Sequence, residues 1–340
     1  MGVFCFTIIN VTRKGDIIMK KLFKTLLVGA MAASLLSGCS SSSSKKKVGI
    51  IQMMDHTSLN TIKSAFDDEM NKLGYTDKNV EYTFKNGQGD NNTLASIAND
   101  FQGKDFDVVV AIATPAAQAA ARLANKTPVI FSAVSDPVGA KLTASLTKPN
   151  KNITGTSDEV QVDQIMEKAL QVQPNMKKIG LLYNKGEANS VTNIANIKKY
   201  LASKNIQVEE ATVVGVNEVQ SAVDTLASKC DAIFSPNDNT VASAMSIAGQ
   251  RAMKAGIPYY VGADSMVKDG GFMTVGIDYE ELGRETARMT DQVLKGKSVS
   301  SLPVKVFKTN LNIYVNKKAL STLKVTLPDS IKNDKKYIEI

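Results

Sequence analysis

The chain has 340 residues, 41 basic against 33 acidic side chains, one histidine, three cysteines and no tryptophan. Cysteines at 5, 39 and 230 are odd in number and far apart, which excludes a disulfide framework, and one histidine with distant cysteines excludes an ordinary zinc site. The basic excess is interspersed with acidic residues and no aromatic–basic stripe accompanies it, so nucleic acid is not an expected partner.

In chain order, the first feature is a charged start at Lys20, Lys21 and Lys24, followed by an apolar run over residues 26–36. That run is too short to span a bilayer stably and reads as a secretory signal. Ser37 and Gly38 precede Cys39, so Leu36-Ser37-Gly38-Cys39 fits a lipobox: small residues admit a peptidase and the thiol accepts a lipid. Met19 makes the better signal start and is the expected true start, with residues 1–18 a translated leader. Residues 1–38 are thus expected to be leader and signal peptide. Residues 39–47, with five serines and then Lys45, Lys46 and Lys47, are expected to be the lipid anchor and a flexible linker. Removing the charges upstream of Cys39 leaves 36 basic and 32 acidic residues.

From Val48 the periodicity changes. A strand over 48–53 gives way to polar Asp55-His56-Thr57-Ser58. Leu59, Ile62, Phe66, Met70 and Leu73 then track one face of a helix that Gly74 ends. Strands follow near 80–85, 107–112 and 128–132, with helices near 91–102 and 115–125. The grammar repeats with a strand over 179–183, a polar loop over 184–190 and a helix ending at Asn205. Strands near 206–213, 231–235 and 257–261 alternate with helices near 217–228 and 239–255. Gly49 to Gly74 and Gly180 to Asn205 each span 25 residues, which points to two similar lobes. The fold class is α/β, two doubly wound parallel-sheet lobes joined by several crossovers. Residues 152–157 read as a strand linking the lobes and 271–277 as a return. Tyr279, Leu282, Thr286, Met289 and Val293 place the next helix on the first lobe, and strands over 302–307 and 311–315 finish the second. The expected boundaries are 48–152 plus about 271–298 for lobe 1, 153–270 plus about 299–327 for lobe 2, and a tail over 328–340.

Ligands of open parallel sheets bind beyond the carboxyl ends of the strands. The polar residues collected there are the candidates: His56, Thr114, Ser132, Ser135, Asp136, Asn184, Glu187, Ser190, Asp238, Asn239 and Asp264. Thr114 before Pro115 starts a helix whose next amide, at Ala116, suits an anion such as a carboxylate; plain capping explains the same residues. Asp238 and Asp264, each after a strand, suit an ammonium or hydroxyl donors, and each suits a helix cap as well. Asp136 also reads as a turn, and His56 as a capping or surface residue. The chain lacks a G-x-S-x-G elbow, a P-loop and H-E-x-x-H, and Gly87-Gln88-Gly89 lacks the third glycine of a dinucleotide fingerprint. No catalytic residue, cofactor or metal is expected.

Seven segments carry a resemblance: Val48-Gly-Ile-Ile-Gln, Ala113-Thr-Pro-Ala-Ala-Gln-Ala-Ala, Ser135-Asp-Pro-Val-Gly-Ala, Ile153-Thr-Gly-Thr-Ser-Asp, Asn184 with Glu187-Ala-Asn-Ser, Asn237-Asp-Asn-Thr-Val-Ala-Ser-Ala and Val275-Gly-Ile-Asp-Tyr. In order and spacing the chain resembles the substrate-binding lipoproteins of ABC importers, in the tryptophan or aromatic amino-acid branch of the type I periplasmic-binding fold. The resemblance implies a non-enzymatic receptor, anchored through Cys39 at the outer face of the cell membrane. It would capture a small solute, an aromatic amino acid such as tryptophan, and deliver it to a permease with its ATPase. A sugar- or nucleoside-binding lipoprotein of the same fold is the alternative, with a sensory receptor behind it. In the expected clamp, Thr114, Ala116 and Ser132 or Ser135 hold a carboxylate. Asp238, Asp264, Asn184 and Glu187 meet the ammonium, and Met53, Phe131 and Tyr183 seat an apolar side chain.

Overall fold

Apolar runs alternating with amphipathic helices build two sheets in a computed structural model that describes residues 45–149, 151–309 and 311–340. The expected leader, Met19 start, signal segment and Cys39 anchor lie outside these residues. The chain runs β1 (Lys46–Gln52), α1 (Thr57–Lys72), β2 (Val80–Asn86), α2 (Asn91–Gln102), β3 (Val108–Ile112), α3 (Thr114–Ala120), β4 (Val129–Ser132) and β5 (Ile153–Ser157). It continues through α4 (Val162–Val172), β6 (Lys178–Asn184), α5 (Ala188–Ser203), β7 (Gln207–Val213), α6 (Val219–Ala227), β8 (Ala232–Ser235), α7 (Asn239–Ser243) and α8 (Met245–Lys254). Then come β9 (Tyr259–Val261), α9 (Asp264–Lys268), β10 (Met273–Gly276), α10 (Tyr279–Leu294), β11 (Lys305–Val306) and β12 (Asn312–Val315). The last elements are α11 (Lys317–Leu323), α12 (Asp329–Lys332) and β13 (Tyr337–Glu339).

The first sheet is six-stranded in the order β11-β5-β4-β3-β1-β2, and the second is seven-stranded in the order β13-β12-β10-β9-β8-β6-β7. All pairs are parallel except β10 with β12. Every residue of β3, Val-Val-Val-Ala-Ile, is buried, as it must be in a strand covered by helices on both faces. The helix expected to return to the first lobe, α10, crosses α1 closely. A Cβ at Gly283 would stand 2.5 Å from the carbonyl oxygen of Ile62, so only glycine fits that crossing. Arg288 Nε to Glu69 at 3.0 Å and Tyr75 Oη donating to Asp291 at 3.0 Å fasten the two helices along their length.

Strand pairing places several expected exchange points differently. Residues 153–157 belong to the first sheet, where Ile153 registers with Val129, rather than opening the second lobe. Residues 273–276 belong to the second sheet, between β9 and β12. Lys305 and Val306 pair with Thr156 and Ser157 and so edge the first sheet, not the second. The expected tail supplies β13, whose Tyr337 registers with Ile313 at the edge of the second sheet. The expected linker also ends early, since Lys46 and Lys47 already pair with Val80 and Glu81. The chain therefore crosses between sheets after β5, before α10 and between β11 and β12. Three crossings restrict relative motion to a hinge. Among the described residues no helix is long and apolar enough to cross a membrane.

Candidate functional site

The carboxyl ends of the two sheets face one another across a cavity. From the first sheet, β1 delivers His56, Ser58 and Leu59; β3 delivers Ala113 and Thr114; β4 delivers Ala133 and Ser135; β5 delivers Asp158. The second contributes Asn237 and Asn239 after β8, Asn189 on α5, Ala242 on α7 and Met266 on α9, while Tyr279 closes the side at the start of α10. Two wall residues hold backbone conformations that L-residues rarely adopt: Ala113 at φ 80°, ψ 156° and Ala133 at φ 55°. Strain of this kind persists where the surroundings fix it and is frequent at binding sites. Bridges across the gap hold the lobes together: Ser58 with Ser265, His56 Nε2 with Asn239 Oδ1 at 3.1 Å, and Asn237 Nδ2 with Ser135 at 2.8 Å and Asp158 at 2.6 Å. So drawn together, they enclose the cavity between them.

The polar wall has a definite sense. Glu187 accepts from Asn239 Nδ2, which turns the amide oxygen of Asn239 toward His56. His56 Nε2 must then donate to that oxygen. Burial, the largest influence on this ring, holds the imidazole below its ordinary proton affinity and hence neutral. Nδ1 is left as an acceptor, and it is buried without a partner. Asn189 directs its Nδ2 toward Asn237 O at 3.2 Å, leaving its Oδ1 likewise unpartnered, and Thr114 Oγ1 is unpartnered too. Asp158 completes the set. Its carboxylate accepts from Ser135, Asn237 and Tyr279 at 3.0, 2.6 and 2.8 Å, all neutral donors. Among the described residues no cation pairs with it. Burial raises its proton affinity and the three donors offset part of that. The wall is therefore rich in acceptors and carries one carboxylate without a counter-charge, a combination suited to a cation with N–H groups to donate.

A family model described as ABC transporter substrate binding protein matches residues 47–337. The chain belongs to this family. Among its relatives, a tyrosine-binding protein of Clostridioides difficile (strain R20291) is 34% identical over 319 residues, 89% of this chain and 92% of the relative. A domain from Streptococcus pneumonia, solved in complex with L-Trp, superposes with a TM-score of 0.83 at 37% identity, covering 87% of this chain and 100% of the other. A ligand-free, open substrate-binding protein with adhesive properties from Clostridium difficile reaches 0.66 at 35% identity, covering 87% and 99%. At nearly equal identity, this chain superposes more closely on the L-Trp complex than on the ligand-free, open structure. Two parallel-sheet lobes of this form are the type I periplasmic-binding fold.

Of the residues expected at the site, His56, Thr114, Ser135 and Asn239 line the cavity of this substrate-binding protein. The others do not line it. Asp238 caps α7 through Val241 N at 2.8 Å and accepts from Asn184 N at 2.7 Å and Ser190 Oγ at 2.6 Å. Glu187 accepts from the amides and side chains of Asn239 and Thr240. Asn184 Nδ2 donates to Thr240 at 2.9 Å, so this group braces the loops of the second lobe. Asp264 already has a cation, Lys268 at 3.0 Å. Ser132 bonds Thr286 at 2.8 Å, Asp136 accepts from Gly139 N at 2.8 Å, and Ala116 is buried behind Thr114. Met53 and Phe131 are core residues and Tyr183 bonds Glu210, so the apolar wall is Leu59, Ala242 and Met266 instead. Asp158, Asn189 and Tyr279 were not singled out as site residues. A signal existed for Asp158, a charge directly after the strand Ile153–Ser157.

Proposed function

We propose that this chain is the extracytoplasmic receptor of an ABC importer, binding an aromatic amino acid between its lobes and handing it unchanged to a permease driven by an ATPase. The observation that carries the ligand class is Asp158, a buried carboxylate that three neutral donors solvate and that no cation among the described residues balances. An amino acid brings the missing positive charge. Its ammonium pairs with Asp158 and has the His56 Nδ1 and Asn189 Oδ1 acceptors in the same wall. Its carboxylate takes the hydroxyl of Thr114 at the start of α3, and its side chain spreads against Leu59, Met266 and Tyr279. The bridges close the lobes over this wall, so entry requires the hinge to open, and a grip on both lobes then favours closure. The tyrosine and L-Trp named for two relatives support the aromatic choice. In the same reading Cys39 carries the lipid that keeps the receptor at the outer face of the membrane, and replacing it by serine releases the chain from membranes washed in about 0.5 M salt.

Calorimetric titration of the purified chain tests the ligand class. L-Tyrosine or L-tryptophan is expected to bind saturably at one site, while arabinose and adenosine give no heat. Binding of the sugar or nucleoside without competition from either amino acid would overturn the reading.

A further inference from the structure

At the end of the first sheet opposite the cavity, a row of lysines has no part in binding. Main-chain bonds from Lys46 to Asn79, Asp107 to Lys47, Val109 to Pro128 and Val129 to Asn152 align the starts of five parallel strands along one edge. The described chain also enters there, at Lys45. Exposed lysines precede or open each strand: Lys47 at β1, Lys78 before β2, Lys104 before β3, Lys126 before β4 and Lys151 before β5. The helix ends return to the same edge, since Tyr75 beyond α1 bonds Asp291 near the end of α10. Six acidic residues share this edge, and three of them are already engaged. Asp107 pairs with Lys46 at 3.0 Å, Asp100 with Lys104 at 2.8 Å and Asp291 with Lys295 at 2.8 Å, leaving Asp77, Glu81 and Asp105. Among the described residues Lys47, Lys78 and Lys126 make no ion pair.

We propose that this lysine edge rests on an anionic phospholipid surface. The proposal takes its orientation from the lipid anchor in the reading above. Lys45 follows Cys39 by six residues, and a chain of that length reaches at most about 20 Å. With Cys39 acylated, the edge cannot leave the neighbourhood of the headgroups, where unpaired lysines and anionic lipid attract over a Debye length of about 8 Å. The first lobe then stands on the bilayer, with the cavity above it and the second lobe outermost.

The test uses the chain from residue 39 onward with Cys39→Ser, so that no lipid contributes, and sedimentation with vesicles of phosphatidylcholine containing about one-third phosphatidylglycerol. The chain is expected to bind these vesicles at low salt, about tenfold or more above its binding to pure phosphatidylcholine, and to detach in about 0.5 M salt. The triple variant Lys47→Glu, Lys78→Glu, Lys126→Glu is expected to lose about tenfold or more of that binding. A second-lobe control, Lys199→Glu, Lys254→Glu, Lys332→Glu, should retain it. Both variants should keep the parent's melting temperature and its heat of amino-acid binding. No binding to the anionic vesicles, equal binding to neutral ones, or equal loss in the control overturns the proposal. Failure of amino-acid binding in the parent overturns the receptor reading and leaves the vesicle result standing.

Discussion

Asp158 and Asp238 are both buried, both follow a strand and both have raised proton affinity, yet their oxygens meet different surroundings. Asp238 caps a helix and accepts from a second main-chain amide and a serine. Asp158 faces the cavity. Asp158→Asn should therefore weaken amino-acid binding by about 2–4 kcal/mol in a calorimetric titration, with little change in melting temperature. Asp238→Ala should do the reverse in kind, costing about 3 kcal/mol of stability by denaturant titration because it removes a cap and strands buried donors. From the sequence both aspartates stand just beyond a strand, and the ammonium was expected at Asp238 where the geometry proposed here puts it at Asp158. His56, Thr114, Ser135 and Asn239 were legible because a polar residue just beyond an apolar strand has few places to point. Glu187 was legible as polar but not as a brace, since its donors Asn239 and Thr240 lie 52 and 53 residues away.

At the scale of elements, periodicity located most strands and helices of both lobes. What it could not supply was the sheet to which a short buried strand belongs. Ile153–Ser157 (Ile-Thr-Gly-Thr-Ser) is buried throughout and Met273–Gly276 (Met-Thr-Val-Gly) is buried but for its last residue, and a strand covered on both faces carries no alternation to say which neighbour it joins. The placement of α10 on the first lobe was readable from its apolar face, but the closeness of its crossing with α1 was not. That closeness rests on Gly283. Gly283→Ala should cost about 1–3 kcal/mol by denaturant titration, despite alanine's better helix propensity, because the new methyl meets backbone rather than a side chain that can turn aside.

In the closed molecule as a whole, buried ionisable groups make stability depend on pH. Burial, and next the charge of Asp238, push Glu187 up to about 7 from an ordinary 4.5. Between those values the folded chain holds a proton that the unfolded chain has released, so this group's contribution falls as pH rises from about 4.5 to about 7. His56 acts in the opposite sense: held below 6.5 by burial, it destabilises the fold as pH falls through that value. Glu187→Gln removes the first effect and leaves the second. Whatever its constant offset, the variant's stability relative to the parent should rise by about 3 kcal/mol between pH 4.5 and 7.5, measured as melting curves across the range. The same closure carries the functional claim, that a hinged pair of lobes grips an amino acid whose ammonium lies against Asp158. A crystal structure grown with L-tyrosine tests it most directly. The account predicts the ligand between the lobes, its nitrogen within hydrogen-bonding distance of the Asp158 carboxylate and its carboxylate beside Thr114. A ligand whose ammonium instead meets Asp238 or Asp264, with Asp158 bonded only to Ser135, Asn237 and Tyr279 as now, would contradict it.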